Sequence, residues 1–266
     1  MHQHQESILS PLESTADPPP AGRDGNRTIG DPVLVSPAES PRAQRLSVII
    51  PVLNEAGLIP DCIPIWKELE RQGAEVLLVD GGSHDHTVAL LNQAGLSVIT
   101  APRGRGFQLR SGAKQASGGI LLFLHVDTRL PAGALEIIRW SLQDKRCWGR
   151  FDVRIDSSRP LLALVSWAMN LRSRLTGIAT GDQAMVMTRW AYEQAGGFAE
   201  QPLMEDIDLS ARLKRLAPPA YLRPPVSTSA RRWERNGVGR TIILMWALRS
   251  AYWLGLPATT LVRFYR

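Results

Sequence analysis

The run LLFLHVD, Leu121 to Asp127, with Thr128 after it, organises the reading of the chain. It is almost wholly apolar, too short for an ordinary helix, and it ends on a carboxylate. Gly118 and Gly119 stand before it, and Pro131 closes the turn beyond. A hydrophobic run of this length between turn residues reads as a strand covered on both faces, the kind found inside a parallel sheet. Ligands of open α/β sheets gather outside the carboxyl ends of such strands. Asp127, with His125 two residues earlier, is therefore expected to point into a ligand crevice. Oxygen and imidazole donors there suit a divalent cation that neutralises phosphates. The competing role for Asp127 is to cap the helix expected from about Ala132.

The same layout of strand then acid recurs upstream. LSVIIPVLNE, Leu46 to Glu55, is a β-branched strand stopped by Pro51, then a loop carrying Asn54 and Glu55. A helix is expected over Pro60–Gln72, with Ile63, Trp66 and Leu69 on one face; its prolines fall in or near the first turn. The strand Ala74–Val79 then delivers Asp80 into Gly81-Gly82-Ser83, completing a βαβ unit that is right-handed by default. This turn either binds a base or ribose through Asp80, the glycines allowing close backbone approach, or is a plain strand-to-helix connection. A dinucleotide-binding fold is disfavoured, because no G-x-G-x-x-G follows the first strand. After a short strand, Leu96–Thr100, comes PRGRGFQ, Pro102 to Gln108, and a helix expected from Gln108 to about Ala116. Glycines interleaved with arginines at a helix start suit phosphate, through backbone N–H groups and guanidinium forks; a solvated turn has the same composition.

Downstream, a helix is expected over Ala132–Gln143, and Trp148–Ile155 alternates like a half-buried strand. Leu161–Leu171 reads as an apolar helix. The loop TGIATGDQ, Thr176 to Gln183, holds one carboxylate and one amide before a short strand, Ala184–Met187. In Met204-Glu205-Asp206-Ile207-Asp208 three acids lie within four residues at the start of a helix, Ile207–Leu216. Acids in a first turn satisfy the helix dipole, but a carboxylate here can also accept a proton from an attacking hydroxyl. Ala220–Ser229, with Pro224 and Pro225 in its middle, is expected as an edge strand or extended loop. Arg231-Arg232-Trp233 can hold a diphosphate and stack on a sugar or base, or form a basic surface turn. Thr241–Arg266 reads as a helix or helix pair interrupted by Arg249 and Pro257. Its apolar stretches are too short for a span of the bilayer. An amphipathic element at a lipid interface, with Trp246, Tyr252 and Trp253 near the headgroups, and a core-packing or dimerising helix are both compatible with it.

Composition bounds these readings. With 266 residues the chain can build one large α/β domain. A formal net charge of +6 and a pI near 9.8 favour anionic partners. The arginines cluster at loops suited to phosphate and no stacking platform is present, so a nucleic-acid partner is not expected. Two distant cysteines, Cys62 and Cys147, form neither a disulfide framework nor a zinc site, and a reducing cytosol is the simplest compartment. No basic segment followed by an apolar stretch opens the chain, so no secretory leader is expected. Residues 1–45, rich in Pro, Ser, Asp and Gly, are expected as a disordered tail. Residues 46–235 then form the folded domain and 236–266 a helical extension.

Taken in order, SVIIPVLNE, LLVDGGSHDHT, RGRGFQLRSGA, LLFLHVDT, TGDQAMVM, GGF, LMEDIDLSARL and SARRW resemble the family 2 glycosyltransferases of GT-A fold. The chain looks most like the small bacterial type associated with radical-SAM or selenium-related neighbours, over roughly Leu46 to Arg266. The resemblance implies a mixed, mostly parallel, Rossmann-related sheet flanked by helices. It also implies a nucleotide-sugar-dependent transferase, inverting and non-processive, with a UDP-sugar as the expected donor.

By the same resemblance, Pro51, Asn54 and Glu55 match the first nucleotide-contacting loop. Asp80, with Gly81, matches the acid on the uracil or ribose side, and Arg105 and Arg110 match the segment touching base and phosphates. His125-Val126-Asp127 stands in the place of the D-x-D metal motif. His125 replaces its first acid, which makes Asp127 the ligand expected for Mg²⁺ or Mn²⁺. Asp206 matches the catalytic base with Glu205 beside it, and Gly181, Asp182 and Gln183 match the wall for acceptor and donor sugar. Arg232-Trp233 matches part of the Q-x-x-R-W element of processive synthases, with Ser229 in place of its glutamine. A lipid acceptor and peripheral contact with the inner face of the plasma membrane are the readings suggested by the carboxyl-terminal segment. A nucleotide-sugar-binding protein without catalysis, and a sugar-phosphate nucleotidyltransferase, remain the alternatives.

Overall fold

The computed structural model describes residues 45–143 and 146–265. Apart from Arg45, the tail expected over residues 1–45 lies outside the described residues. Strands β1 (Leu46–Val52), β2 (Glu75–Asp80) and β3 (Ser97–Thr100) alternate with helices α1 (Ile59–Arg71) and α2 (Thr87–Gln93). Then come α3 (Arg105–Gln115), β4 (Ile120–Phe123), the two-residue β5 (Thr128–Arg129), α4 (Ala134–Ser141), β6 (Trp148–Asp156) and α5 (Pro160–Thr176). A 3-10 turn, Gly181–Gln183, leads into β7 (Met185–Thr188), α6 (Arg189–Gln194), α7 (Glu205–Leu216) and β8 (Ala220–Ser229). The chain closes with α8 (Arg231–Asn236), α9 (Val238–Trp253), α10 (Ala258–Leu261) and a 3-10 turn, Val262–Phe264.

One eight-stranded sheet runs β3-β2-β1-β4-β7-β6-β8-β5. The first four strands are parallel, as the βαβ reading requires, and β7 enters antiparallel to β4, with Leu121 opposite Met187. The apolar runs are continuous because both faces are covered. Val48, Ile50, Leu78 and Leu122 pack under α1 and α4, while Ile49, Leu77, Val79, Leu121 and Phe123 pack under α3, α6 and α7. Helix α3 comes especially close: a Cβ on Gly112 would stand 2.5 Å from Cγ2 of Ile49.

Several boundaries differ from the sequence reading. The strand expected through Asp127 ends at Phe123, because its partner β7 ends at Met185 and the preceding Ala184 turns with φ of +46°. His125 and Asp127 are thereby released into a loop. The RGRG segment is not wholly loop, since α3 starts at Arg105, and the acidic cluster is itself the first turn of α7. Strand β8 is not an edge strand: it pairs with β6 on one side and β5 on the other. Its two prolines face the register shift between Phe151 and Val153, where a missing N–H costs least. Asn170 of α5 exchanges hydrogen bonds of 2.9 Å with both backbone groups of Val153 at that shift. Strand β6 is buried along most of its length rather than alternating, and Arg150 is enclosed in an ion pair with Asp152.

Candidate active site

The loops at the carboxyl ends of β1, β2 and β4 meet the first turns of α3 and α7. A chain of polar contacts ties them together. Nε of Arg105 donates to Oε1 of Glu205 at 2.6 Å, and its Nη1 lies 3.0 Å from Nε2 of His125. Nδ1 of His125 lies 3.0 Å from Oδ1 of Asp182. A guanidinium can only donate, so Nε2 of His125 is the acceptor and Nδ1 carries the proton that goes to Asp182. Both ring nitrogens are therefore engaged, and the imidazole has no lone pair free for a metal. Gly181 is required beneath this ring, because a Cβ there would overlap it.

Asp206 stands beside this chain. Its Oδ2 accepts from the backbone N–H of Gly181 at 2.7 Å and its Oδ1 from that of Ile207 at 2.7 Å. Glu205, by contrast, is 1% exposed. Burial, reinforced by Asp206, holds its carboxyl above the usual carboxylate range against the pull of Arg105. Asp182 goes the other way: burial opposes its charge, but the His125 hydrogen bond and the nearby Arg105 and Arg232 keep it well below the usual range. A solvent-open recess of about 420 Å³ lies over these groups, its far wall made by Arg232, Met245, Arg249 and Tyr265.

Beside the recess, Arg231 reaches Glu55 at 3.6 Å and Asp127 at 3.9 Å. Burial raises the carboxyl of Asp127, and Asp182 adds to it; burial likewise raises Glu55, with Asp127 adding. Two half-buried carboxylates that one distant guanidinium only partly offsets form a hard, oxygen-rich donor set fitting Mg²⁺ or Mn²⁺. Among the described residues no group of three or more His, Cys, Asp or Glu could hold a metal unaided.

The β2 turn is organised from within. Asp80 is 4% exposed, and its carboxylate accepts from the backbone of Gly82 at 2.9 Å and from the N–H and hydroxyl of Ser83. The turn is latched to the β1 loop by Asn54, which receives the N–H of His84 at 2.8 Å and donates its own to Ser83. Buried Gln108 joins the ends of β1 and β2 through the carbonyls of Val52 and Val79, with Gly81 against it. Pro51 stays within β1, opposite Val79.

Three residues singled out in the sequence lie elsewhere. Arg110 donates to the carbonyl of Phe198 at 2.9 Å and faces Glu200, Trp233 packs against the Ile155, Leu162 and Val165 cluster, and Gln183 is wholly buried in the capping box of the 3-10 turn. The structure adds Met245, Arg249 and Tyr265 to the lining of the recess, and Arg172, on which the charges of Arg249 and Asp206 act. No motif marks these four, because their positions follow from how α5, α9 and the chain end pack. Non-glycine residues with positive φ are Asn54, Ala184 and Met204 among the described residues, and all three border the site. Each costs of order 1–3 kcal/mol, and such strain persists where the surroundings fix it.

Residues 47–177 match the family model for glycosyl transferase family 2. By this match residues 47–177 belong to glycosyltransferase family 2. Solved structures agree in fold. One is a mannosyltransferase from Pyrobaculum calidifontis in complex with GDP-Man and Mn²⁺, at 22% identity and a TM-score of 0.51, covering 70% of this chain and 56% of that one. S. aureus TarS 1–349 is 16% identical with a TM-score of 0.56, covering 70% of this chain and 60% of that one; it has also been solved with UDP-GlcNAc. The chain thus spans little more than half the length of the first and three-fifths of the second, with the mixed α/β sheet of the GT-A fold in common.

Proposed function

We propose that the protein transfers a sugar from a nucleoside-diphosphate donor, a UDP-sugar in the first instance, to an acceptor hydroxyl by a single inverting displacement. The observation that carries this is Asp206: its carboxylate is held by two backbone N–H groups at the floor of the recess, next to an immobilised His125–Asp182 pair. Asp206 takes the proton of the attacking hydroxyl, and Glu205 fixes the first turn of α7 through Arg105. The Asn54–Ser83 latch and the Asp80 turn form the nucleotide side, with Glu55 beside them. Asp127 would hold a divalent cation beside the donor diphosphate. When bound, the cation supplies counter-charge for the departing diphosphate. Arg231 and Arg232 stand where they add to that charge, and Gly181 and Asp182 wall the sugar. Ser229 in place of the synthase glutamine supports a single transfer rather than polymerisation.

No described helix is long and apolar enough to cross a membrane. Peripheral contact with a lipid surface is supported by the outer face of α9, where Ile243, Trp246 and Trp253 are 72%, 70% and 85% exposed. A panel of nucleotide sugars with Mn²⁺, scored by thermal shift and donor turnover, identifies the donor. Asp206→Asn is expected to lower turnover by about 10²–10⁴-fold while nucleotide affinity is retained. Transfer at the wild-type rate in this variant removes Asp206 as the base. Nucleotide binding without turnover in the wild type favours a binding protein, and pyrophosphate release from a nucleoside triphosphate favours a nucleotidyltransferase.

A further inference from the structure

Arginines in this fold normally find partners. Arg189 spends three guanidinium nitrogens on the carbonyls of Ala113, Ala116 and Gly118, and Arg150 is paired with Asp152 through Nη1 although its Nε too has no partner. Around the recess, Arg105 is held by Glu205 and His125, Arg231 faces Glu55 and Asp127, and Arg232 donates to the hydroxyl of Tyr265. Arg172 near the end of α5 and Arg249 on α9 are different. Nε and Nη2 of Arg172 and Nε of Arg249 are shut off from water and donate to no described atom. The charges that act on Arg172 are those of Arg249, Asp206, Arg150 and Asp182, and Arg249 itself lines the recess. Burial, and then the Arg249 charge, push the Arg172 guanidinium down to about 10. Charged donors shut off from water without a partner are unfavourable, and a second charge of like sign acting on one of them adds to the cost.

We propose that Arg172 and Arg249 form an anion subsite for the acceptor, which therefore carries a phosphate group close to the hydroxyl that Asp206 deprotonates. Two guanidiniums present planar donor forks matched to phosphate oxygens. Their place fits the acceptor rather than the donor. Arg249 lines the recess together with Asp206, whereas the donor diphosphate is assigned to Asp127 and Glu55 on the β4 and β1 loops. The inference rests on the transferase reading of Asp206, but the subsite is measurable without turnover. The phosphate belongs either to a soluble phosphate ester or to a lipid headgroup.

The test uses the full chain with Arg172→Met and Arg249→Met. Without added anion, both variants melt at or above the wild-type temperature, because donors shut off from water without a partner have been removed. Inorganic phosphate stabilises the wild type beyond potassium chloride of equal ionic strength, and each substitution raises its dissociation constant by about tenfold or more. Equal phosphate affinity in wild type and both variants overturns the proposal, as does a variant that melts lower yet keeps the phosphate response. Titration of UDP with Mn²⁺ separates the two readings. If nucleotide binds while phosphate affinity ignores both arginines, the subsite fails and the transferase reading stands. If phosphate binds through the arginines and no nucleotide binds, the subsite stands and the donor reading fails. Capture by phosphatidylglycerol vesicles, lost in both variants, assigns the phosphate to a lipid. Equal binding of sn-glycerol 3-phosphate without vesicle capture assigns it to a soluble ester.

Discussion

Replacing Arg105 by methionine tests how the site is held together. Glu205 is 1% exposed, its Oε1 is paired with Nε of Arg105 at 2.6 Å, and its Oε2 has no partner. Removing one member of a buried pair costs about 3–5 kcal/mol when the survivor stays charged. For a chain of this size that corresponds to a fall in Tm of about 6–20 °C. The survivor need not stay charged, however. Burial already holds Glu205 above the usual carboxylate range with Arg105 opposing, so loss of Arg105 raises it further. A carboxyl whose folded-state pKa exceeds its unfolded value contributes stability that is complete below the unfolded pKa. That contribution is lost as pH rises through the folded one, at up to about 1.4 kcal/mol per pH unit between the two. Arg105→Met is therefore expected to be close to wild type near pH 4.5 and to fall progressively behind it toward pH 8. Urea unfolding followed by tryptophan fluorescence at several pH values measures this. The double variant Arg105→Met with Glu205→Met should recover most of the loss, because no orphaned charge remains. A deficit of equal size at pH 5 and pH 8, or a double variant worse than the single, refutes the reasoning.

Asp127→Ala is expected to remove the dependence of nucleotide binding on Mn²⁺, seen as superimposable UDP titrations with and without the metal, while the fold melts within a few degrees of wild type. Gly181→Ala places a methyl group where the His125 ring lies and displaces the ring from Arg105 and Asp182. Turnover should drop by about 10²-fold, with UDP affinity little changed in the same titration.

The parallel half of the sheet was legible because burial on both faces writes itself as unbroken apolar runs, from LSVII to LLFL. The order of the strands was less so. Strand β8 read as an edge because Pro224 and Pro225 cannot serve a regular ladder. The register shift in β6, bridged by Asn170, accommodates them in an interior position. Trp148–Ile155 read as a half-buried alternation, yet Arg150 within it is wholly buried, where Asp152, two residues on, pairs with it. Of the site, local sequence carried what is locally encoded. Asp80 with its glycine turn, the acids of α7 and the carboxylate after β4 all stand in short runs. Arg172 and Arg249 could not be read this way. Each interrupts an apolar helix, and what it faces depends on the packing of α5 and α9 around the recess.

The histidine at position 125 shows how a departure from a motif acquires a physical role. An acid there would confront Asp182, whose Oδ1 lies 3.0 Å from the ring, and the two charges would repel. A neutral imidazole instead takes a proton-donating contact from Arg105 on one side and gives one to Asp182 on the other. It thereby connects the β4 loop to α3 and to the 3-10 turn. Through Gly181, whose N–H holds Asp206 at 2.7 Å, the same ring is coupled to the proposed base. The carboxylate that the motif lacks at its first position is present across the ring as Asp182, held well below the usual carboxylate range by that contact. In the proposed reading, the engagement of both His125 nitrogens and the fixing of the base therefore have a single structural cause. In the proposed reading Asp127 is the carboxylate left to a cation, with Glu55 sharing Arg231 with it.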